Sequence, residues 1–238
     1  MVWFAMVPYR YAQYRLFPLK WSSLAETIAL LLWLGPFMAR LFGTNFGPFF
    51  TYLGVWIAIL IFFISKDRKF HEATGYRWFI LHGVIAWVGL EMIRASFIPL
   101  VATSAFIGYT LASQPWLIQP VSIFSVYGLN LLIMLVNFAL VHAVMAFSDR
   151  RWKFTGTVPV DGHSTTRNWL VVTSVALVAW VGISLAILYG APKDQPVVRV
   201  AAVQPNYALP AFQDEVNTSQ DRFDTFAQEA RLAARQAA

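Results

Sequence analysis

From Ala95 to Ser148 the chain runs for 54 consecutive residues without a single Asp, Glu, Lys or Arg. No water-soluble domain can carry such a stretch, because a globule must keep polar groups on every face it turns to solvent, whereas a chain dissolved in lipid need not. The rest of the sequence agrees. Of the 238 residues 58% are hydrophobic and 16% aromatic, and only 13% are charged, about half the share of an ordinary soluble domain. Soluble, disordered and disulfide-stapled classes are thereby excluded, and an integral membrane protein remains. There is no Cys, so disulfides, thiolate metal sites and a Cys nucleophile are excluded within these residues.

A membrane-spanning helix needs roughly 20 predominantly apolar residues, with about 17 to 25 allowed. Five segments meet or approach that length: Leu24 to Phe42, Phe46 to Ile64, Trp78 to Ile93, Val126 to Phe147 and Trp169 to Leu188. The third is short and holds Glu91, so it is expected to tilt or to continue past Arg94. Pro99, Pro115 and Pro120 break the first half of the uncharged run and leave Val126 as the start of an uninterrupted helix. The predicted architecture over residues 1–190 is an α-helical polytopic membrane bundle of about five transmembrane helices.

Basic residues are retained on the cytoplasmic side and so report orientation. They fall in clumps: Arg10, Arg15 and Lys20; Lys66, Arg68, Lys69 and Arg77; Arg150, Arg151, Lys153 and Arg167. Placing these three clumps inside puts 11 basic residues in the cytoplasm and leaves Arg40 and Arg94 outside. An odd number of crossings then exports everything after Tyr189. Short basic loops between lipid-length segments are topology signals rather than a phosphate footprint, so no nucleic-acid partner is expected. Trp3 to Pro8 would suit the last turns of a helix reaching the cytoplasmic face, with Arg10 and Arg15 among headgroups.

Past Leu188 the composition changes through the turn-rich Tyr189 to Pro196, and a domain boundary is expected there. Val197 to Gln204 is a short β-branched run that suits a buried strand, stopped by Pro205. From Asp214 to Ala238 the pattern is helical, with Val216, Phe223, Ala227, Ala230 and Ala234 along one stripe. One strand and one helix bury too little to fold alone. Residues 191–238 are therefore expected to be the N-terminal portion of a larger exported α/β domain that continues beyond Ala238.

Several stretches resemble a known family. Val203-Gln204-Pro205-Asn206, ending a predicted strand, is similar to the first strand of a carbon-nitrogen hydrolase (nitrilase-type) domain. Trp87, Glu91 and Arg94 are similar to a tryptophan, glutamate and arginine signature in the membrane part of apolipoprotein N-acyltransferases. Gly108-Tyr109, then Pro115 through Gln119 to Tyr127, Gly128 and Asn130, then Leu135-Val136-Asn137 resemble that family's extracytoplasmic loop and next helix. The order agrees over residues 78–238. Trp3 to Pro8 resembles the segment near the family's second helix, so a first helix is expected to be missing here.

The resemblance implies an acyltransferase of lipoprotein biosynthesis in the bacterial cytoplasmic membrane, with membrane phospholipid as acyl donor and a diacylglyceryl lipoprotein as acceptor. It implies a Cys thioester, a Glu general base and an oxyanion-stabilising Lys, all after the first strand and helix of the nitrilase-type domain. No catalytic residue is therefore assigned among these 238, and residues 1–238 alone are expected to be inactive. No cofactor is expected, and the chain is expected to act as a monomer. Two alternatives stand beside this reading. One is another membrane-anchored amidase or acyltransferase of the same superfamily. The other is a non-catalytic anchor or transporter, although the paired repeats of transporters are absent from the sequence.

Candidate substrate-binding or domain-contact residues are Glu91, Arg94, Tyr109, Gln119, Tyr127 and Asn130. Glu91 and Arg94, three apart, share a helix face, and their simplest role is an interfacial ion pair. The functional alternative is contact with a lipid headgroup or with the exported domain. Gln119, Tyr127, Asn130 and Asn137 form a polar set in the uncharged run, suited to interhelical hydrogen bonds. The sharper reading makes Pro115 to Gly128 the wall of a lateral acyl-chain entrance, since proline-broken backbone at membrane depth must be buried or line a cavity. Glu26 is expected to snorkel or pair near a helix end. His71, His82, His142 and His163 have no metal-site spacing, and no metal is expected. Asn217 to Ser219 fits a glycosylation sequon, and aromatics such as Trp78, Trp116, Trp152, Trp169 and Tyr189 cluster at helix ends as an interfacial belt.

Overall fold

In the computed structural model the described residues are 2–18, 66–97, 106–152, 157–160 and 163–190, with isolated positions besides. The chain divides into two compact units, Met1–Thr27 with Ile59–Ala191, and Ile28–Ala58 with Pro192–Ala238. In the second unit only seven positions are described, Ile28, Leu32, Gly54, Ala227, Gln228, Ala230 and Arg231, all helical. The predicted segments Leu24 to Phe42 and Phe46 to Ile64, the strand Val197 to Gln204 and Asn217 to Ser219 lie outside the described residues or touch them only at isolated positions. No strand occurs among the described residues.

The first unit is helical. A 3-10 turn at Val2–Phe4 leads into α1 (Met6–Tyr11), which runs on as a π-helical turn over Ala12–Leu16. Helix α2 is described over residues 66–73. It is followed by α3 (Phe79–Phe97), a 3-10 turn at Ile107–Leu111, the short α4 (Pro115–Ile118), α5 (Val121–Trp152) and α6 (His163–Gly190). Pro115 takes the first turn of α4, where its missing N–H costs nothing. The prolines that forbid a continuous helix through this region thus start one in the middle of it.

Helices α5 and α6 are long and apolar enough to cross a membrane, and the first part of α3, Phe79–Ile93, is a shorter apolar helix. In α5 67% of the apolar window is buried against 17% in α6, which makes α5 the spine of the unit and leaves α6 on its periphery. Helices α1, α3 and α6 all pack on α5. Leu129, Ile133, Met134, Phe138, Val141 and Met145 form its buried stripe. At 1.5 Å per residue its regular part, residues 126–152, spans about 40 Å, more than a hydrocarbon core of roughly 30 Å. Helix α3 approaches it closely at Gly83, where any Cβ would run into the Phe138 ring.

Three helix limits refine the predictions. Helix α3 continues past Arg94 to Phe97, the continuation expected of a segment too short to span. Helix α5 is interrupted at Ser125 (φ 63°, ψ 171°), so its regular part begins at Val126 as predicted, and it runs past Phe147 to Trp152. Helix α6 starts at His163 rather than Trp169. An apolar window finds only the lipid-length part of a helix. The polar turns added here are held by other means, such as Arg150 and Arg151 in the last turn of α5, where cations favour the helix dipole.

Candidate functional site: a polar clamp beneath the broken segment

Glu91, on α3, is 4% exposed, and Asn130, at the head of the regular part of α5, is 0% exposed. Polar groups so placed must be hydrogen-bonded or they cost several kcal/mol, about 2–7 by transfer data. They satisfy each other. Asn130 Nδ2 donates to Glu91 Oε2 at 2.5 Å. Glu91 Oε1 accepts from the indole Nε1 of Trp87 at 3.2 Å, one turn back, and from the amide of Ile107 at 3.4 Å. Asn130 Oδ1 in turn accepts the amide of Gly108 at 2.8 Å. Two side chains therefore fasten the Ile107–Leu111 turn to α3 and α5 together. Gly108 is required there, because a Cβ would lie 2.5 Å from Asn130 Oδ1.

Above the clamp the buried Phe106 packs edge-on against Tyr109 and Tyr127, each ring centroid 5.4 Å away. Tyr109, Trp116, Ile123 and Phe124 leave an apolar rim about half exposed. Trp180 of α6 supports the segment by donating Nε1 to the Leu117 carbonyl at 2.8 Å. Of the six predicted residues, then, Glu91 and Asn130 meet directly, and Tyr109 and Tyr127 meet through Phe106. Gln119 stands apart, its Nε2 given to the Pro115 carbonyl at 2.8 Å. The Arg94 side chain, and with it the predicted Glu91–Arg94 ion pair, lies outside the described residues.

Asn137, two turns along α5, does the same work for the N-terminal segment. It accepts the Met6 amide at 3.0 Å and donates to the Val2 carbonyl at 2.9 Å. Further along, Arg15 makes a bidentate pair with Asp149 (2.7 and 2.8 Å), and its Nη1 donates to the Tyr76 hydroxyl at 2.9 Å. Asp149 also accepts the Val160 amide at 2.9 Å. Arg68 donates to the carbonyls of Gln13 and Phe17 at 2.8 and 2.6 Å. Arg15 and Arg68 are 4% and 2% exposed. The expectation of Arg15 among headgroups is thus corrected: this cation is an internal tie. Burial works against the Arg15 charge, but the hydrogen bonds to Asp149 and Tyr76 outweigh it and hold its pKa above the ordinary value. Burial pushes the Tyr76 hydroxyl up.

Two of the histidines, far apart in spacing, are neighbours in the fold. The fold brings His71 and His82 together with Asp67, with one ligand atom of each within 4.8 Å of the others. The sequence signal was the i,i+4 spacing of Asp67 and His71 on one helix face; the arrival of His82 depended on the turn that follows. His142 is separate and meets Thr166 at 3.2 Å.

A family model described as the apolipoprotein N-acyltransferase N-terminal domain matches residues 1–139. That span contains Trp87, Glu91, Gly108, Asn130 and Asn137. No curated protein and no solved structure matches the chain.

Proposed function

The chain belongs to the apolipoprotein N-acyltransferase family through that family's N-terminal domain, and from this premise we propose that it forms the membrane part of an enzyme acylating lipoproteins at the outer face of the bacterial inner membrane. The acyl donor in this reading is a membrane phospholipid and the acceptor the α-amino group of a diacylglyceryl-cysteine. A cysteine thiolate attacks the ester carbonyl, the lysophospholipid hydroxyl leaves, and the resulting thioester passes its acyl group to the amine with return of the thiolate. A glutamate manages the protons and a lysine stabilises the oxyanion. The nucleophile belongs to a nitrilase-type domain and not to these 238 residues, which contain no Cys. Residues 1–190 are the transmembrane domain and 191–238 the start of that exported domain. The excess of basic residues in the N-terminal, 65–77 and 148–168 segments supports a cytoplasmic N-terminus.

The observation that carries the reading is the Glu91–Asn130 clamp. It spends a buried carboxylate on holding one non-helical turn, Ile107–Leu111, beneath an exposed aromatic rim. Irregular backbone at membrane depth is tolerated where it is buried or lines a cavity. A lateral entrance for an acyl chain is such a place. Tyr109 and Tyr127 serve as its walls, and Glu91 acts as a positioning residue rather than a catalytic one. Gln119 and Arg94 are assigned to substrate or domain contact in the same reading.

The test uses proteoliposomes holding these residues joined to their nitrilase-type domain, with phospholipid donor and a diacylglyceryl lipopeptide acceptor. Formation of the N-acyl lipopeptide is expected, with Glu91→Gln reducing it about tenfold or more, because one of the two accepting oxygens becomes a donor. Full activity in a Glu91→Gln protein of normal stability would refute the positioning role. N-acylation by residues 1–238 alone would refute the placement of the nucleophile.

A further inference from the structure

We propose that Asp67, His71 and His82 bind a divalent transition metal of the zinc class, which clips α2 to the first turn of α3. The site is independent of the acyl-transfer reading and shares no residue with the Glu91–Asn130 clamp. Its construction begins on α2, where Asp67 and His71 are one turn apart. The helix then closes with Gly75 and Tyr76 both at positive φ (56° and 62°) and the Tyr76 amide bonded back to the His71 carbonyl at 2.9 Å. This is a left-handed C-terminal cap. It reverses the chain within a few residues, so that His82, in the first turn of α3, faces back toward Asp67.

Three ligand atoms result, nearly equidistant. Asp67 Oδ1 lies 3.1 Å from His71 Nε2 and 3.2 Å from His82 Nδ1, and the two ring nitrogens are 3.3 Å apart. One face of a tetrahedron around zinc, with bonds of about 2.0–2.1 Å, has edges of about 3.3–3.4 Å. Without an ion, Asp67 Oδ1 can accept from both ring nitrogens, but the two N–H groups then face each other across 3.3 Å. A single cation at the centre satisfies all three.

The ligands are held in place before any ion arrives. His71 is 1% exposed, and its ring is packed against Phe79 and Phe70 with centroids 5.1 and 5.2 Å away. The Tyr14 hydroxyl is hydrogen-bonded to Asp67 Oδ2, which fixes the carboxylate and leaves Oδ1 turned to the histidines. The side chains of His82 and Asp67 remain 43% and 22% exposed, giving an entry path and room for a fourth ligand. Two imidazoles and one carboxylate select zinc, cobalt or nickel over magnesium or calcium, which want oxygen. His71 Nδ1 is buried without a hydrogen-bond partner, so the affinity is expected to fall short of a site whose outer partners are complete, by about ten- to a hundredfold.

The experiment titrates the tag-free full chain in detergent with Co²⁺ and then Zn²⁺, competing against a chromophoric chelator. Expected are the visible absorption bands of tetrahedral Co²⁺ at about one equivalent per chain, their loss on adding Zn²⁺, and no effect of Mg²⁺. His82→Gln and His71→Gln are each expected to weaken Zn²⁺ binding more than about tenfold, the low end of what disturbing a ligand's outer partner typically costs. Zn²⁺ should also raise the Tm of the wild-type chain and leave that of His82→Gln unchanged. Should the buried His71→Gln variant fail to fold, the half-exposed His82→Gln variant decides alone. Equal Zn²⁺ affinity in the wild type and His82→Gln, absence of the cobalt bands, or displacement of cobalt by Mg²⁺ would overturn the site.

Discussion

Asn130 is committed at both ends of its amide: Nδ2 to the Glu91 carboxyl and Oδ1 to the Gly108 amide. Asn130→Ala would leave a buried carboxylate oxygen and a buried N–H without these partners, each costing about 1–3 kcal/mol. A lowered Tm in detergent is expected, together with reduced acyl transfer in the joined protein; an unchanged Tm would show that the clamp carries no load. Tyr76 offers a test at the opposite end of the unit. Its hydroxyl titrates above the ordinary tyrosine value because burial favours the neutral form. Its contribution is therefore complete below about pH 10 and is lost as pH rises through the raised folded value. Tyr76→Phe should be less stable than wild type near neutrality, where Arg15 loses an acceptor, and the gap should narrow in strongly alkaline buffer. Thermal melts of the two chains across that range would check it.

Helix α5 was legible as an element because lipid-length apolar runs announce themselves, and so was its break. Three prolines placed the start of regular helix at Val126, one residue after the positive-φ Ser125. What the sequence could not show was how the broken segment is fastened. The Ile107–Leu111 turn has no sequence period of its own, and its attachment depends on a glycine whose backbone approaches a side chain 22 positions away. Gly108→Ala should therefore act on the whole segment. With a Cβ 2.5 Å from Asn130 Oδ1, either the turn lifts or Asn130 leaves Glu91. Loss of about 1–3 kcal/mol is expected, the scale of overpacking at a filled site, with acyl transfer reduced alongside it. The control is Gly182→Ala on α6, where a Cβ meets nothing within 4 Å. Equal behaviour of the two variants would mean that the turn is held by something other than this close approach.

Over the whole first unit, composition pointed to an apolar solvent and the motifs to the family, but the ties between distant segments stayed hidden. Arg15 and Asp149 are 134 positions apart, and no local pattern can pair them. Read by rule, Arg15 was a cation in a basic clump. Folded, it is a buried guanidinium joining the N-terminal segment to the end of α5, with Tyr76 and the Val158 carbonyl completing its shell. The same limit hid the Asp67, His71 and His82 triangle, which depends on a non-glycine residue, Tyr76, taking a positive φ that propensity rules disfavour. Because both members of the Arg15 pair are desolvated, removing one should cost far more than removing both. Arg15→Met leaves Asp149 buried beside apolar groups, and Asp149→Leu strands the guanidinium; each is expected to cost about 3–5 kcal/mol. The double variant Arg15→Met with Asp149→Leu should be more stable than the sum of the two losses implies. It should still fall short of wild type, because the Val160 amide loses its acceptor. A double-mutant cycle read by thermal unfolding in detergent measures this coupling. Additive losses would mean that the two residues act separately, and that the N-terminal segment is held on α5 chiefly by Asn137 and the apolar stripe.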